Sequence, residues 1–313
     1  MKILVSGGFG YLGGRIAQSL SAEGHKIVLG TRTKKNPPKW LPDAKVVQIE
    51  WNNSELLMDI CSGFDVIIHA AGMNSQDCLL DPEGAIEFNG NSTEKLVKAS
   101  IDAKVTKLIY LSTVHVYCSP LHGEITEESP IINSHPYASS HILGENTVLF
   151  HSNASKNFEG IVLRLSNAVR SPLHKNANCW MLAINDFCHQ IVKKRIIEVN
   201  SPAAVQRDFF PITLLCKTIN SIVFKDSLKE NIINVSSSKT KSLSEITEII
   251  ARRTEKLFRF KPKIVFKNKD FISNKSNLKI SNNRLGEILD IEDSLELEID
   301  QLLLNCKEWF GGK

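Results

Sequence analysis

The sequence predicts an α/β protein: a doubly wound parallel sheet with a smaller C-terminal domain. Three observations predict it. Short, unbroken apolar runs rich in β-branched residues recur through the first half. Helix-length stretches separate them, and a glycine triplet follows the first run directly. Strands covered on both faces read as continuous apolar runs, and strand–helix alternation sets such strands side by side in one parallel sheet.

In order, Ile3, Leu4 and Val5 form the first strand and run into Gly7-Gly8-Phe9-Gly10-Tyr11-Leu12-Gly13. Residues 15–22 carry Ile16 and Leu20 at helical spacing. A second strand at 26–29 falls where a βαβ unit puts it. Further strands are expected at 46–49, 66–68, 108–111 and 161–163, with helices at 83–103 and 136–150 among them. After Asn167 the rhythm breaks. Residues 171–177 are polar and loop-like, 180–193 look helical, 232–235 read as one more strand and 244–256 as a helix. No repeat or low-complexity linker interrupts the chain, so its two parts are expected to pack as one unit.

Composition narrows the function classes. The 313 residues are 42% hydrophobic and 23% charged, ordinary globular usage. The 38 basic against 34 acidic residues give a net charge of +4, too small an excess to argue for nucleic acid as the main partner. No run of about 18 apolar residues exists, so no membrane-spanning helix is expected. Seven widely spaced cysteines, an odd number with no C-x-x-C pair, read as free thiols in a reducing compartment and suggest neither zinc nor redox chemistry. No metal is expected. The apolar run before Ser6 is too short for a secretion signal, and a cytoplasmic location follows as an expectation. Residues 252–284 hold 11 Lys and Arg against Glu255 and Asp270, which reads as a solvated face.

Gly7-x-x-Gly10-x-x-Gly13, between a strand and a helix, is the dinucleotide-binding pattern of a Rossmann sheet. One glycine permits the tight turn, one admits a pyrophosphate to the backbone, and Gly13 lets helix and strand pack closely. The anion then meets free N–H groups and the positive end of the helix dipole. The end of the second strand points to NADP over NAD. Thr31 and Arg32 stand there, followed by Lys34, Lys35 and Lys39, and no acid occurs between Gly24 and Pro42. A carboxylate there would accept from the ribose hydroxyls of NAD, whereas a guanidinium grips a 2′-phosphate with two hydrogen bonds.

With these residues in place, the chain resembles the extended short-chain dehydrogenase/reductase family, the nucleotide-sugar epimerases, dehydratases and reductases. Val66-Ile67-Ile68-His69-Ala70-Ala71-Gly72 resembles the strand whose end, Ala70 and Ala71, borders the cofactor. Asn89 matches the family's helix asparagine. Leu111-Ser112-Thr113-Val114-His115-Val116-Tyr117 resembles the segment that puts an active-site hydroxyl on Thr113. Arg207-Asp208-Phe209 is similar to the element whose arginine meets the diphosphate. The resemblance implies a Rossmann domain at 1–166 that also takes in about 206–236, and a mainly substrate-binding domain at 167–313. It further implies a homodimer packed through the 83–103 and 136–150 helices.

The match departs at the catalytic pair. The family uses Tyr-x-x-x-Lys; here the run is Tyr137-Ala138-Ser139-Ser140-His141. Residues i and i+4 share a helix face, so Tyr137 and His141 are expected to point into one site, with roles toward both cofactor and catalysis. The family's lysine holds the nicotinamide ribose and lowers the tyrosine pKa by its charge, whereas a histidine near pKa 6.5 is mostly neutral at pH 7. Tyr137 is therefore expected to donate a proton more readily than to accept one, which favours ketone reduction. Val114 and His115 replace the Asp-Glu pair of sugar 4,6-dehydratases, and elimination loses its acid and base. His115 occupies the slot of the cysteine in GDP-fucose-synthase-like enzymes and is expected to contact substrate. The resemblance thus implies an NADP-dependent 4-ketoreductase acting on a nucleotide-sugar, with Tyr137, Thr113, His141 and His115 as catalytic residues and Asn167 and Arg207 beside the substrate. Arg164 is expected to be scaffolding. A 4-epimerase and a cofactor-binding scaffold with weakened catalysis are the alternatives.

Overall fold

The computed structural model describes residues 1–268 and 277–312. The chain begins with β1 (Lys2–Ser6), α1 (Tyr11–Ala22), β2 (Lys26–Thr31), β3 (Lys45–Gln48), α2 (Ser54–Cys61) and β4 (Val66–His69). Next come α3 (Ser75–Leu80), α4 (Pro82–Ala85), a π-helical turn (Ile86–Asn91), α5 (Ser92–Asp102) and β5 (Lys107–Thr113). After the short β6 (Glu124–Ile125) follow α6 (Pro136–Ala154), β7 (Glu159–Leu165) and β8 (Asn167–Val169). The C-terminal part adds α7 (Ala183–Lys194), β9 (Ile196–Val199), β10 (Gln206–Pro211), α8 (Ile212–Phe224), β11 (Ile232–Val235), β12 (Thr240–Ser242) and α9 (Leu243–Phe258). It closes with β13 (Lys263–Phe266), β14 (Lys279–Ile280), α10 (Asn283–Gly286) and α11 (Leu295–Phe310).

Seven strands form one parallel sheet in the order β11-β7-β5-β4-β1-β2-β3. Strand order reverses beside β1, the place where doubly wound sheets open a crevice at their strand C-termini. The side chains of β1 show how both faces are covered. Ile3 and Val5 pack with Ile16 and Leu20 of α1 and Leu215 and Ile219 of α8, while Leu4 packs on the other face with Leu57, Leu96 and Val97. A separate core joins α7, α9 and α11 through Phe187, Ile246, Ile250, Leu302 and Leu303.

The expected helix at 83–103 is helical but not uniform. A π turn at Ile86–Asn91 inserts an extra residue into the ladder and rotates Asn89 inward. Its carboxamide accepts from the Met73 N–H at 2.7 Å and donates to Ser140 Oγ at 3.1 Å, and its neighbour Gly90 lies against Leu143. The helix expected from residue 180 starts at Ala183, while α6 continues past residue 150 to Ala154. The basic run from 252 is a largely solvated face over its described residues, and most of its basic groups are paired. Arg252 and Arg253 meet Glu296, Lys267 meets Glu198 and Lys279 meets Glu124. Lys269, Asp270 and Lys275 of that run lie outside the described residues. Among the described residues, no helix is long and apolar enough to cross a membrane.

Candidate functional site

The glycine loop leaves β1 at the crevice. Gly7 takes a left-handed φ of +66°, and a Cβ there would stand 2.8 Å from Ala70 O and Ala71 N, so the loop and the end of β4 touch through backbone alone. A Cβ at Gly13 would collide with the Gly7 carbonyl oxygen. Gly10 caps α1 without any side chain, and the first turn of α1 carries no acid, so its N–H groups and the positive helix end stay available to an anion. This cradle fits a dinucleotide pyrophosphate through the main-chain N–H groups of residues 11–13, that of Gly10 being given to Gly7 O at 2.8 Å.

Tyr11 and Leu12 belong to the cradle only through their backbone. Leu12 packs into the core. The Tyr11 hydroxyl donates to Arg170 O at 2.8 Å and accepts from the Arg170 N–H at 3.0 Å, tying α1 to the chain after β8. Thr31 ends β2, and the exposed Arg32 that follows lays its guanidinium 5.4 Å from the ring centre of Phe88. Among the described residues Arg32 makes no ion pair.

Thr113 ends β5, and Tyr137 opens α6, where Pro136 suits the first turn and His135 Nδ1 accepts the Tyr137 N–H at 3.1 Å. Thr113 hydrogen-bonds the Tyr137 hydroxyl, and the Tyr137 ring stands edge-on to His141 with centroids 4.6 Å apart. The structure thus brings Thr113, Tyr137 and His141 together, as i,i+4 spacing dictates for the last two. Burial pushes the Tyr137 phenol up to about 12, a rise the Thr113 bond moderates. Burial lowers His141 to about 4, so it is neutral at pH 7. Its Nδ1 lies 2.9 Å from the Tyr110 hydroxyl.

His115 reaches the open side of the same cleft. Loss of surrounding water, then the facing Arg207 guanidinium and His135, lower its pKa. The Arg207 side chain has no hydrogen bond or ion pair among the described residues, and desolvation alone lowers its pKa. A half-buried, unpartnered guanidinium beside a cleft is an anion-binding group. Asn167 donates its amide to Asp208 O at 2.8 Å, which holds β10 beside β8.

Behind the cleft, Arg164 and Glu145 form a buried ion pair, 2% and 1% exposed, with Nη2–Oε2 at 2.6 Å. Ser112 Oγ donates to Glu145 Oε1 at 2.5 Å, and Arg164 Nη1 donates to the Tyr117 hydroxyl at 2.9 Å. Arg164 is scaffolding, as expected. Sequence reasoning gave no role to Tyr110, Thr93 or Ser6. Tyr110 and Ser6 are polar residues on largely apolar strands and Thr93 sits on an amphipathic helix, and none of these positions says anything of its partner.

Comparison with known proteins agrees with this geometry. The NAD dependent epimerase/dehydratase family matches residues 3–235. The chain is 28% identical over 154 residues to UDP-glucose 4-epimerase of Halalkalibacterium halodurans, covering 48% of this chain and 46% of that one. It is 29% identical over 180 residues to human dTDP-D-glucose 4,6-dehydratase, covering 53% and 51%. The chain thus spans about half the length of these curated relatives. The structure of Thermotoga maritima UDP-glucose 4-epimerase with UDP-glucose superposes with a TM-score of 0.83 at 15% identity, over 98% of this chain and 99% of that one, a likeness of fold.

Proposed function

The chain belongs to the NAD dependent epimerase/dehydratase family, within the extended short-chain dehydrogenases/reductases, and on that premise we propose that it is an NADP-dependent oxidoreductase that reduces a keto group of a nucleotide-sugar, as a 4-ketoreductase. One observation carries this reading: Tyr137 is a protonated phenol beside a neutral His141, in a position where the family pattern supplies a cation. Such a tyrosine serves as an acid. When bound, the nicotinamide cofactor supplies hydride exchange at the sugar carbon. Tyr137 gives its phenolic proton to the carbonyl oxygen, and the Thr113 hydroxyl holds the same oxygen. His141 hydrogen-bonds the nicotinamide ribose, Arg207 neutralises the diphosphate and His115 contacts the sugar. The absence of an Asp-Glu pair at 114 and 115 supports reduction over dehydration. Residues 167–313 form most of the substrate-binding part. A homodimer through α5 and α6 belongs to the same proposal, and Phe150, 68% exposed on α6, supports it. Seven free thiols support a cytoplasmic location.

Stoichiometric NADPH consumption with a UDP- or dTDP-4-keto-sugar tests the reading. Isomerisation of a nucleotide-sugar without net cofactor change would establish an epimerase instead. Failure of both the natural chain and a His141→Lys variant to turn over any such sugar would leave a cofactor-binding scaffold. For the cofactor, Arg32→Ala is expected to weaken NADP binding about tenfold or more while leaving NAD binding unchanged, because only the 2′-phosphate loses a charged partner. Dissociation constants for both cofactors decide it, and tighter NAD binding by the natural chain would reject the NADP assignment.

A further inference from the structure

His141 stands where the family pattern has a lysine, yet its imidazole is held by a residue that the pattern does not name. The Tyr110 hydroxyl, on β5, lies 2.9 Å from His141 Nδ1, and both side chains are buried. Space for that hydroxyl is built in: Gly144, three residues after His141 on α6, has no side chain, and a Cβ there would stand 2.5 Å from the Tyr110 oxygen. The two rings lie with centroids 5.8 Å apart, and His69 faces Tyr110 on its other side at 5.6 Å.

The proton order can be followed from the bottom of the network. Thr93 Oγ1 donates to Asn89 O at 2.6 Å, so toward His69 Nε2, 2.9 Å away, it accepts. Burial lowers the His69 pKa to about 3, and this neutral ring therefore carries its one proton on Nε2 and accepts from Ser6 Oγ at Nδ1, 2.6 Å away. Thr93 Oγ1, its proton spent on Asn89 O, keeps one lone pair and can only accept from the Tyr110 hydroxyl that also reaches it. The Tyr110 hydroxyl, kept protonated by its burial, has one proton to give, and of its two polar neighbours, Thr93 Oγ1 and His141 Nδ1 at 2.9 Å, the imidazole nitrogen is the stronger acceptor. Among the described residues no group bonds His141 Nε2.

We propose that Tyr110 is a positioning residue that fixes His141 as its neutral Nε2–H tautomer, a directed hydrogen-bond donor on the face it shares with Tyr137. A flexible ammonium in the family pattern is thereby replaced by a rigid, uncharged donor suited to a ribose hydroxyl. That last step rests on the dinucleotide reading of the cleft; the tautomer does not.

The test is nitrogen NMR of the natural chain labelled with 15N-histidine, at pH 7 and without cofactor. His141 is expected to show a protonated Nε2 and a bare Nδ1. Tyr110→Phe, which removes only the hydroxyl, is expected to give a mixture of both tautomers. A proton on Nδ1 in the natural chain, or an unchanged tautomer in Tyr110→Phe, overturns the proposal. Titration with NADP supplies the second readout. Tyr110→Phe is expected to weaken binding about fivefold, the scale of one hydrogen bond, and to have no effect in a His141→Ala background. An equal loss in both backgrounds marks a merely structural role and overturns it. If neither NADP nor NAD binds the natural chain, the dinucleotide reading fails, and the NMR result alone decides the tautomer.

Discussion

Tyr137→Phe is expected to lower kcat for keto-sugar reduction by about 10²–10⁴-fold, the range general acid catalysis contributes. NADPH affinity should stay within about twofold, because the ring still stands edge-on to His141 and only the hydroxyl is lost. Steady-state rates and a cofactor thermal shift measure the two quantities separately. The pH dependence gives the same prediction a sign. With the phenol raised to about 12, its protonated form dominates from pH 6 to 9, so the reductive rate should be flat across that window. In the oxidative direction the reactive form is the phenolate, and the rate should climb about tenfold per pH unit toward that pKa. His141, lowered to about 4, is neutral throughout and adds no limb above pH 5. A full-activity Tyr137→Phe, or an oxidative rate that levels near pH 7, would contradict the acid role.

The second large effect is on stability. Removing one partner of a buried ion pair leaves the other charge uncompensated and costs about 3–5 kcal/mol. Glu145→Ala strands Arg164, only 2% exposed, and also frees Ser112 Oγ, which donates to the same carboxylate. For a chain of this size the loss corresponds to a Tm decrease of roughly 5–8 °C. Replacing both partners together, Glu145→Leu with Arg164→Met, should recover much of it, because neither charge of the pair is then left buried without its partner. Differential scanning calorimetry of the two variants measures both. An unchanged Tm in Glu145→Ala would remove the pair from the scaffold. Activity should fall as well, since the pair ties α6, which carries Tyr137, to β7.

Much of this molecule was legible from local spacing. Ile3, Leu4 and Val5 followed by three spaced glycines specify a buried strand, a tight turn and an open helix end, because each needs only its own neighbours. Tyr137 and His141 share a face because four residues make about one helical turn, and the structure brings them together as that arithmetic requires. Thr113 at the end of β5 follows the same logic.

Contacts between elements were not legible. The π turn that rotates Asn89 toward Ser140 lies against α6, and no residue of 86–91 states that contact alone. The Tyr11 hydroxyl bonds the backbone at Arg170, away from the glycine loop in which its sequence neighbours lie. Asn167 gives an amide proton to Asp208 O, while the Arg207 side chain makes no hydrogen bond or ion pair among the described residues. Tyr110 meets His141 because the sheet order sets β5 beneath α6 and Gly144 admits the hydroxyl between them. Spacing along the chain determines where a side chain points within its element. Which group it meets depends on strand order and on how closely the layers pack, and only the tertiary structure decides those.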